Sequence, residues 1–197
     1  MAGKQAKYLS APMIDRVLVQ LQSRRNPERD RVIFLLSVRA GLRACEIAGL
    51  EWAMVTDALG DLSGTLVVPN RIAKGTASGR TVPLHPQLAD ALSAWRTVSV
   101  HTRWSTVAPV VPSERDRKFT AHNIVMWFQR LYGQVGLVGC SSHSGRRTFI
   151  TNAARQAPHV GASLRDVQKL AGHAWLSSTE RYIEENTEAQ VALVGLL

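Results

Sequence analysis

One β-rich stretch interrupts a sequence whose other apolar residues recur mostly at helical spacing. The runs TLVVP (65–69) and RTVPL (80–84) are rich in β-branched residues, and the polar, glycine-containing segment 70–79 separates them. Two such runs around one turn-forming segment predict an antiparallel hairpin with a long tip. Besides it we expect only a brief strand over 52–55, so the predicted fold class is mainly α with a small antiparallel β-sheet (α+β).

Helical patterns lie on both sides of the hairpin. Before it, Met13, Val17 and Leu21 share one face, and the run VIFLLSV continues a second helix toward Gly41. After it, residues suited to a first turn mark further helix starts at Pro86, Thr120, Ser142, Ser163 and Ser177 or Ser178. We expect the helix from Ser142 to run through Asn152 and the last helix to contain Tyr182.

The length and the apolar content indicate a single folded domain. A chain of 197 residues with 45% hydrophobic and 20% charged residues has enough apolar mass for a core, which excludes a disordered polyelectrolyte. The apolar run VIFLL is far too short to span a membrane. We therefore predict one domain over 1–197, with a flexible start at 1–8 and an apolar end segment at 187–197.

Positive charge is in surplus and unevenly distributed. Lysine and arginine number 24 against 15 aspartates and glutamates, a formal net charge of +9. Segments 71–80 and 143–155 contain basic residues and no acidic ones, segment 16–43 is strongly basic, and the end from Glu180 to Glu188 is acidic. Such segments indicate a surface that converges on phosphates, so we expect nucleic acid as the partner.

The cysteines and the missing motifs exclude several other classes. Cys45 and Cys140 are far apart in the sequence, which is typical of a reduced, intracellular protein. Cys140 and His143 have a metal-like gap, but no second close Cys/His pair completes a site. The sequence contains neither a Walker-type phosphate loop nor G-x-G-x-x-G. We therefore expect no metal and no cofactor.

Four short segments carry residues suited to phosphate chemistry. They hold Arg43 with Glu46, Lys74 on the predicted hairpin tip, His143 with Arg146, and His173 followed by Tyr182. Each taken alone has an ordinary explanation: a surface ion pair, a loop lysine, a capping histidine beside a solvated arginine, and a half-buried packing tyrosine. In order they read Arg-x-x-Glu, Lys, His-x-x-Arg, and Gly-His followed by Tyr, which is far more informative than any one of them.

This ordered set resembles the catalytic domain of the tyrosine recombinase (phage integrase) family over about residues 8–190. The resemblance implies six catalytic side chains: Arg43, Lys74, His143, Arg146, His173 and Tyr182. Tyr182 would be the nucleophile, and Glu46 would support Arg43. The neighbouring Arg71, Arg80 and Arg147 are expected to contact DNA. Gly145 stands where the family commonly has Leu, and we expect it to loosen its helix by up to about 1 kcal/mol relative to Ala.

The same resemblance implies a site-specific DNA recombinase that cleaves and rejoins strands through a 3′-phosphotyrosine intermediate, without metal or ATP. It implies double-stranded DNA as the partner, a homotetramer on DNA from a monomer in solution, and a bacterial, nucleoid-associated location in the cytoplasm. Segment 187–197 would then pack either on a neighbouring protomer or on its own core, and we expect the chain to lack the family's usual N-terminal core-binding domain.

Two other functions stay open from the sequence. One is a type IB topoisomerase-like enzyme that nicks and reseals a single duplex with the same kind of site. The other is a catalytically decayed protein that acts only by occupying DNA.

Overall fold

The computed structural model describes residues 6–73, 79–99, 105–113, 118–182 and 194–195. Its helices and strands within these ranges are α1 (Ala11–Gln22), α2 (Pro27–Val38), α3 (Ala44–Gly49), β1 (Thr65–Val68), β2 (Arg80–Pro83), α4 (Pro86–Ser99), α5 (Ala121–Gln134), α6 (Ser144–Gln156), α7 (Leu164–Ala171) and α8 (Leu176–Glu180). Short 3-10 helices, Trp52–Met54 and Ala157–Val160, follow α3 and α6. This architecture confirms the predicted fold class.

Strands β1 and β2 form the predicted antiparallel hairpin. Their register pairs Leu66 with Val82 and Val68 with Arg80. Leu66, Val68 and Val82 are buried in the core, as expected when alternate residues of a strand point to one face. The pairing places Arg80 at the end of β2 where the connection 69–79 joins it.

Helix α2 runs through the centre of the fold. Residues 32–38 are all buried, and the helix packs against α1, α3, α4 and α6. A helix that is buried around its circumference needs neighbours on every side, so α2 gathers the elements that carry the candidate site. Within the described ranges, no helix is both long enough and apolar enough to cross a membrane.

Three local predictions were wrong. Residues 52–54 form a 3-10 helix and not a strand, because each turn is closed by bonds such as Val55 N–H to the Trp52 carbonyl. Helix α6 begins at Ser144 with His143 at its N-cap, so Ser142 does not cap it. Helix α8 ends at Glu180, and Tyr182 therefore lies just beyond it.

Close packing explains the glycine in the His-x-x-Arg segment. A Cβ atom on Gly145 would lie 2.9 Å from Cβ of Ser37 and would collide with its hydroxyl oxygen. Helix α6 thus approaches α2 at a distance that a larger side chain would not allow. The glycine brings the first turn of α6, which carries Arg146, against the centre of the fold.

Candidate active site

Two backbone carbonyls hold Arg146 at the centre of the site. The residue is 2% exposed, and its Nη1 and Nη2 donate to the carbonyls of Gly41 at 2.6 Å and Ala171 at 2.5 Å. Gly41 has a φ of 65°, and a Cβ there would collide with the ring of Phe149, so glycine is required at this turn. Because a guanidinium is planar and rigid, two anchored nitrogens fix where its other donors point.

One buried carboxylate orients Arg43 and Arg80 together. Glu46 is fully buried, and it accepts hydrogen bonds from Arg43 Nη1 at 2.8 Å and from Arg80 Nη1 and Nη2 at 3.0 and 2.9 Å. It also accepts from the backbone N–H of Arg43 at 2.8 Å. Burial alone would raise the pKa of Glu46, but Arg80 and Arg43 outweigh it and hold the pKa below its usual range. The predicted support of Arg43 by Glu46 therefore has a geometric basis.

His173 and Tyr182 lie side by side. Their rings are stacked, with centroids 5.6 Å apart and planes 25° from parallel. His173 Nδ1 is 2.9 Å from Oγ1 of the buried Thr179, and the Tyr182 carbonyl accepts from Oγ1 of Thr151 at 3.1 Å. The buried apolar residues Ile150, Ala157, Val167 and Ala171, which lie on α6, the following 3-10 helix and α7, pack against the Tyr182 side chain. Both rings are thus positioned by neighbours on α6 and α8.

Positive charge is concentrated around these two rings. Burial lowers the pKa of Arg146 to about 9, and the nearby Arg43 and Arg80 add to the effect. Burial and the charges of Arg146, Arg43 and Arg80 likewise lower the pKa of His173 to about 4. Three guanidinium groups facing one carboxylate, that of Glu46, leave a surplus of positive charge that a bound anion would relieve.

His143 is placed at the edge of this cluster. It is the exposed N-cap residue of α6, one turn before Arg146, and its Nδ1 is 3.4 Å from Oγ of Ser142. Its backbone N–H donates to Oγ of Ser141 at 3.3 Å. Among the described residues, no group of three or more His, Cys, Asp or Glu side chains is placed to hold a metal ion.

The remaining predicted residues have different placements. Lys74 and most of segment 187–197 lie outside the described residues. Arg71 is 57% exposed and paired with Glu51 at 2.6 Å, whereas Arg80 is 4% exposed and bound to Glu46. Arg147 is half-buried on α6. Of the three expected DNA contacts, Arg80 has a nearly fully buried side chain, which does not suit a direct contact with DNA.

Sequence reasoning missed the residues that position the site. Thr179 contacts the His173 side chain, and Thr151 donates to the Tyr182 backbone carbonyl. The carbonyls of Gly41 and Ala171 hold Arg146. Threonines in polar helices give no sequence signal of such contacts. The glycine at position 41 was the one signal in the sequence, since glycine often marks a turn that needs a positive φ.

The other described tyrosines are engaged elsewhere. Tyr132 is buried in the core and stacks on Phe128 with ring centroids 5.8 Å apart, and burial raises its pKa far above the usual range. The Tyr8 hydroxyl donates to Oδ1 of Asn152 at 2.8 Å. Tyr182 is therefore the tyrosine that lies within the cationic cluster.

The fold and the ordered site define a family. The model of the phage integrase family matches residues 7–189, which is nearly the whole chain. The protein belongs to the phage integrase family.

Curated relatives are tyrosine recombinases. The chain is 31% identical over 185 residues to tyrosine recombinase XerA of Thermococcus kodakarensis, covering 92% of this chain and 59% of the relative. It is 30% identical over 168 residues to tyrosine recombinase XerD of Lacticaseibacillus casei, covering 84% and 53%. The chain thus spans little more than half the length of these relatives.

Solved structures share the fold. The crystal structure of XerA recombinase superposes with a TM-score of 0.74 at 20% identity, covering all of this chain and 65% of that one. XerH site-specific recombinase bound to palindromic difH substrate, in a post-cleavage complex, gives a TM-score of 0.74 at 19% identity and covers 98% and 53%. At these identities the likeness concerns the fold of the matched domain.

Proposed function

We propose that this protein is a site-specific DNA recombinase that cleaves and rejoins strands through a 3′-phosphotyrosine at Tyr182. The observation that carries the proposal is the stacking of Tyr182 on His173, beside three guanidinium groups, of which those of Arg43 and Arg80 share the Glu46 carboxylate. A hydroxyl nucleophile in a pre-formed cationic site suits attack on a phosphodiester.

Side chains of this protein can supply the nucleophile and the charge stabilisation that the proposed reaction needs. The Tyr182 oxygen forms a bond to phosphorus as the bond from phosphorus to the 5′ oxygen breaks, and the phosphotyrosine conserves the ester for rejoining without ATP. Negative charge gathers on the non-bridging oxygens, and the forked donors of Arg43 and Arg146 neutralise it without a metal ion. Since Glu46 and two carbonyls already orient these arginines, little reorganisation is needed when the transition state forms.

Proton transfer falls to the remaining side chains. The tyrosine proton must leave and the 5′ oxygen must gain one; His143 and Lys74 are the proposed acceptor and donor. His173 has a pKa of about 4, so it is neutral near pH 7 and acts as a hydrogen-bond partner of the phosphate. With Nδ1 at Thr179 Oγ1, its Nε2 is the nitrogen left for that bond.

Double-stranded DNA is the proposed substrate, and a tetramer on DNA assembled from monomers is the proposed working form. The net charge of +9 and the DNA complexes among the structural neighbours support DNA as the partner. With DNA as the substrate, the proposed location is the one predicted from the sequence, at the nucleoid in a bacterial cytoplasm.

Trapping of a covalent adduct tests the function. Nicked duplexes of randomised sequence, which release a short fragment on cleavage, are incubated with the protein and separated in detergent. We expect an adduct with the wild type and with Tyr132→Phe, because the buried Tyr132 hydroxyl has no hydrogen-bond partner among the described residues. Tyr182→Phe should bind DNA and give none. An adduct in Tyr182→Phe would overturn the assignment.

The same material separates the alternatives. Relaxation of supercoiled plasmids that lack the selected site would instead indicate a topoisomerase. Specific binding by the wild type without any adduct would indicate a decayed enzyme.

A further inference from the structure

We propose that Arg80 is a positioning residue that joins strand β2, and the connection 69–79 that carries Lys74, to helix α3. The proposal rests on the proposed function and deepens it, because Arg43, which would bind the phosphate, is the N-cap residue of α3. It changes the expected role of Arg80 from a DNA contact to a link inside the protein.

Burial and hydrogen bonding support this role directly. The Arg80 side chain is 4% exposed and that of Glu46 is fully buried. Both terminal nitrogens of Arg80 donate to Glu46, one to each carboxylate oxygen, at 3.0 and 2.9 Å. Such a bidentate pair constrains the orientation of the two side chains as well as the distance between them. Arg80 is the first residue of β2, so this pair fixes the end of the connection.

Helix α3 touches the connection at a second point. A Cβ atom on Gly49, the last residue of α3, would lie 2.7 Å from Cγ2 of Ile72. The glycine therefore permits direct contact between α3 and a residue two positions before Lys74. Helix α3 thus contacts Ile72, in the first part of the connection, through Gly49, and Arg80, the residue that directly follows the connection, through Glu46.

The link also has an electrostatic effect on the site. The pKa of Arg146 is lowered by burial first, then by Arg43, and then by Arg80. The pKa of His173 is lowered by burial first, then by Arg146 and Arg43, and then by Arg80. Glu46 acts in the opposite direction on both groups. Loss of Arg80 should therefore move the His173 pKa upward as well as release the connection.

Hydrogen–deuterium exchange on the full chain tests the link without relying on activity. In Arg80→Met, we expect amide exchange to rise by about tenfold in both 70–73 and α3, while α1 stays as in the wild type. Arg80→Lys keeps the positive charge but cannot donate to both carboxylate oxygens as arginine does, so its amide exchange should lie between that of the wild type and that of Arg80→Met. Lys118→Met removes a cation from another shared carboxylate and serves as the matched control, with exchange in α3 unchanged.

Cleavage and titration distinguish positioning from DNA contact. At saturating DNA we expect the cleavage rate of Arg80→Met to fall by about tenfold or more, with DNA affinity changed by less than about threefold. The His173 titration, followed by NMR, should move to higher pH. Weaker, less salt-dependent binding with an unchanged rate at saturation would overturn the proposal. So would faster exchange limited to β2. If the wild type formed no adduct, the proposed function would be contradicted. The exchange and titration measurements need no DNA, so they would still decide whether Arg80 is a positioning residue.

Discussion

Glu46 and Glu51 are both buried and each hold two cations, yet those cations differ in their exposure. Glu46 binds Arg43 and Arg80, whose side chains are 19% and 4% exposed. Glu51 binds Arg71 and Lys118, which are 57% and 55% exposed. The two clusters flank the same hairpin connection, from Arg71 on one side to Arg80 on the other.

The two groups of ion pairs differ in how freely their cations can change partner. Cations over half exposed are strongly screened by water and salt, and they are free to exchange Glu51 for a DNA phosphate. The arginines on Glu46 are largely buried and have no such freedom, so we expect them to keep one arrangement when DNA binds. On the proposed function, we expect Glu46 to hold the arginines of the reaction site, and Arg71 and Lys118 to face the DNA.

Removal of each carboxylate should give the largest difference. Glu46→Gln deprives two largely buried arginines of their counter-charge, and we expect it to lower the free energy of unfolding by about 3 kcal/mol or more. Glu51→Gln should cost no more than about a third of that, because its cations remain hydrated. Urea unfolding measures both. Equal losses would contradict the distinction between the clusters.

The titration of His173 should respond to the buried cluster alone. Removing a nearby positive charge in Arg43→Met should raise the His173 pKa from about 4 toward its ordinary 6.5, while Glu51→Gln leaves it unchanged. NMR of the imidazole protons measures each value. A shift of similar size in Glu51→Gln would show that the outer cluster reaches the site.

The same pKa predicts a pH dependence of stability. Because the folded pKa of His173 lies below 6.5, its contribution is complete above about pH 6.5 and is lost as the pH falls toward about 4. Unfolding measured across this range should show a smaller decline in His173→Gln than in the wild type. Parallel declines would mean that His173 is not depressed as described.

Salt should give the smallest effect. Raising the ionic strength should reduce the stability difference between wild type and Glu51→Gln, and leave that between wild type and Glu46→Gln nearly unchanged. Unfolding at low and high salt measures both differences. A strong salt effect on the Glu46 difference would indicate that water reaches the buried cluster.

The sequence predicted the fold class and the hairpin because their signals are local. The β-rich runs 65–69 and 80–84 form the paired strands as expected, and Thr120 caps α5 through the Asn123 N–H at 3.1 Å. The strand expected over 52–55 was wrong because hydrogen bonding within the segment, and packing of Trp52 and Met54, favour a 3-10 helix.

Long-range contacts explain what the sequence did not predict. The spacing of Arg43 and Glu46 indicated their pairing, but the sharing of Glu46 with Arg80 crosses 34 positions. Helix propensity predicts only a local cost for Gly145, whereas the structure shows its close contact with Ser37. Tyr182 was placed inside a helix that ends two residues earlier. The catalytic roles of the six predicted side chains remain predictions.

The identity of the residue joined to DNA tests the central claim most directly. The trapped adduct is digested with protease and nuclease, and the nucleotide-bearing peptide is sequenced by mass spectrometry. We predict a single modified residue, Tyr182, linked through oxygen to a 3′-phosphate. A nucleotide on Tyr8, on Tyr132 or on a serine or histidine would contradict the account.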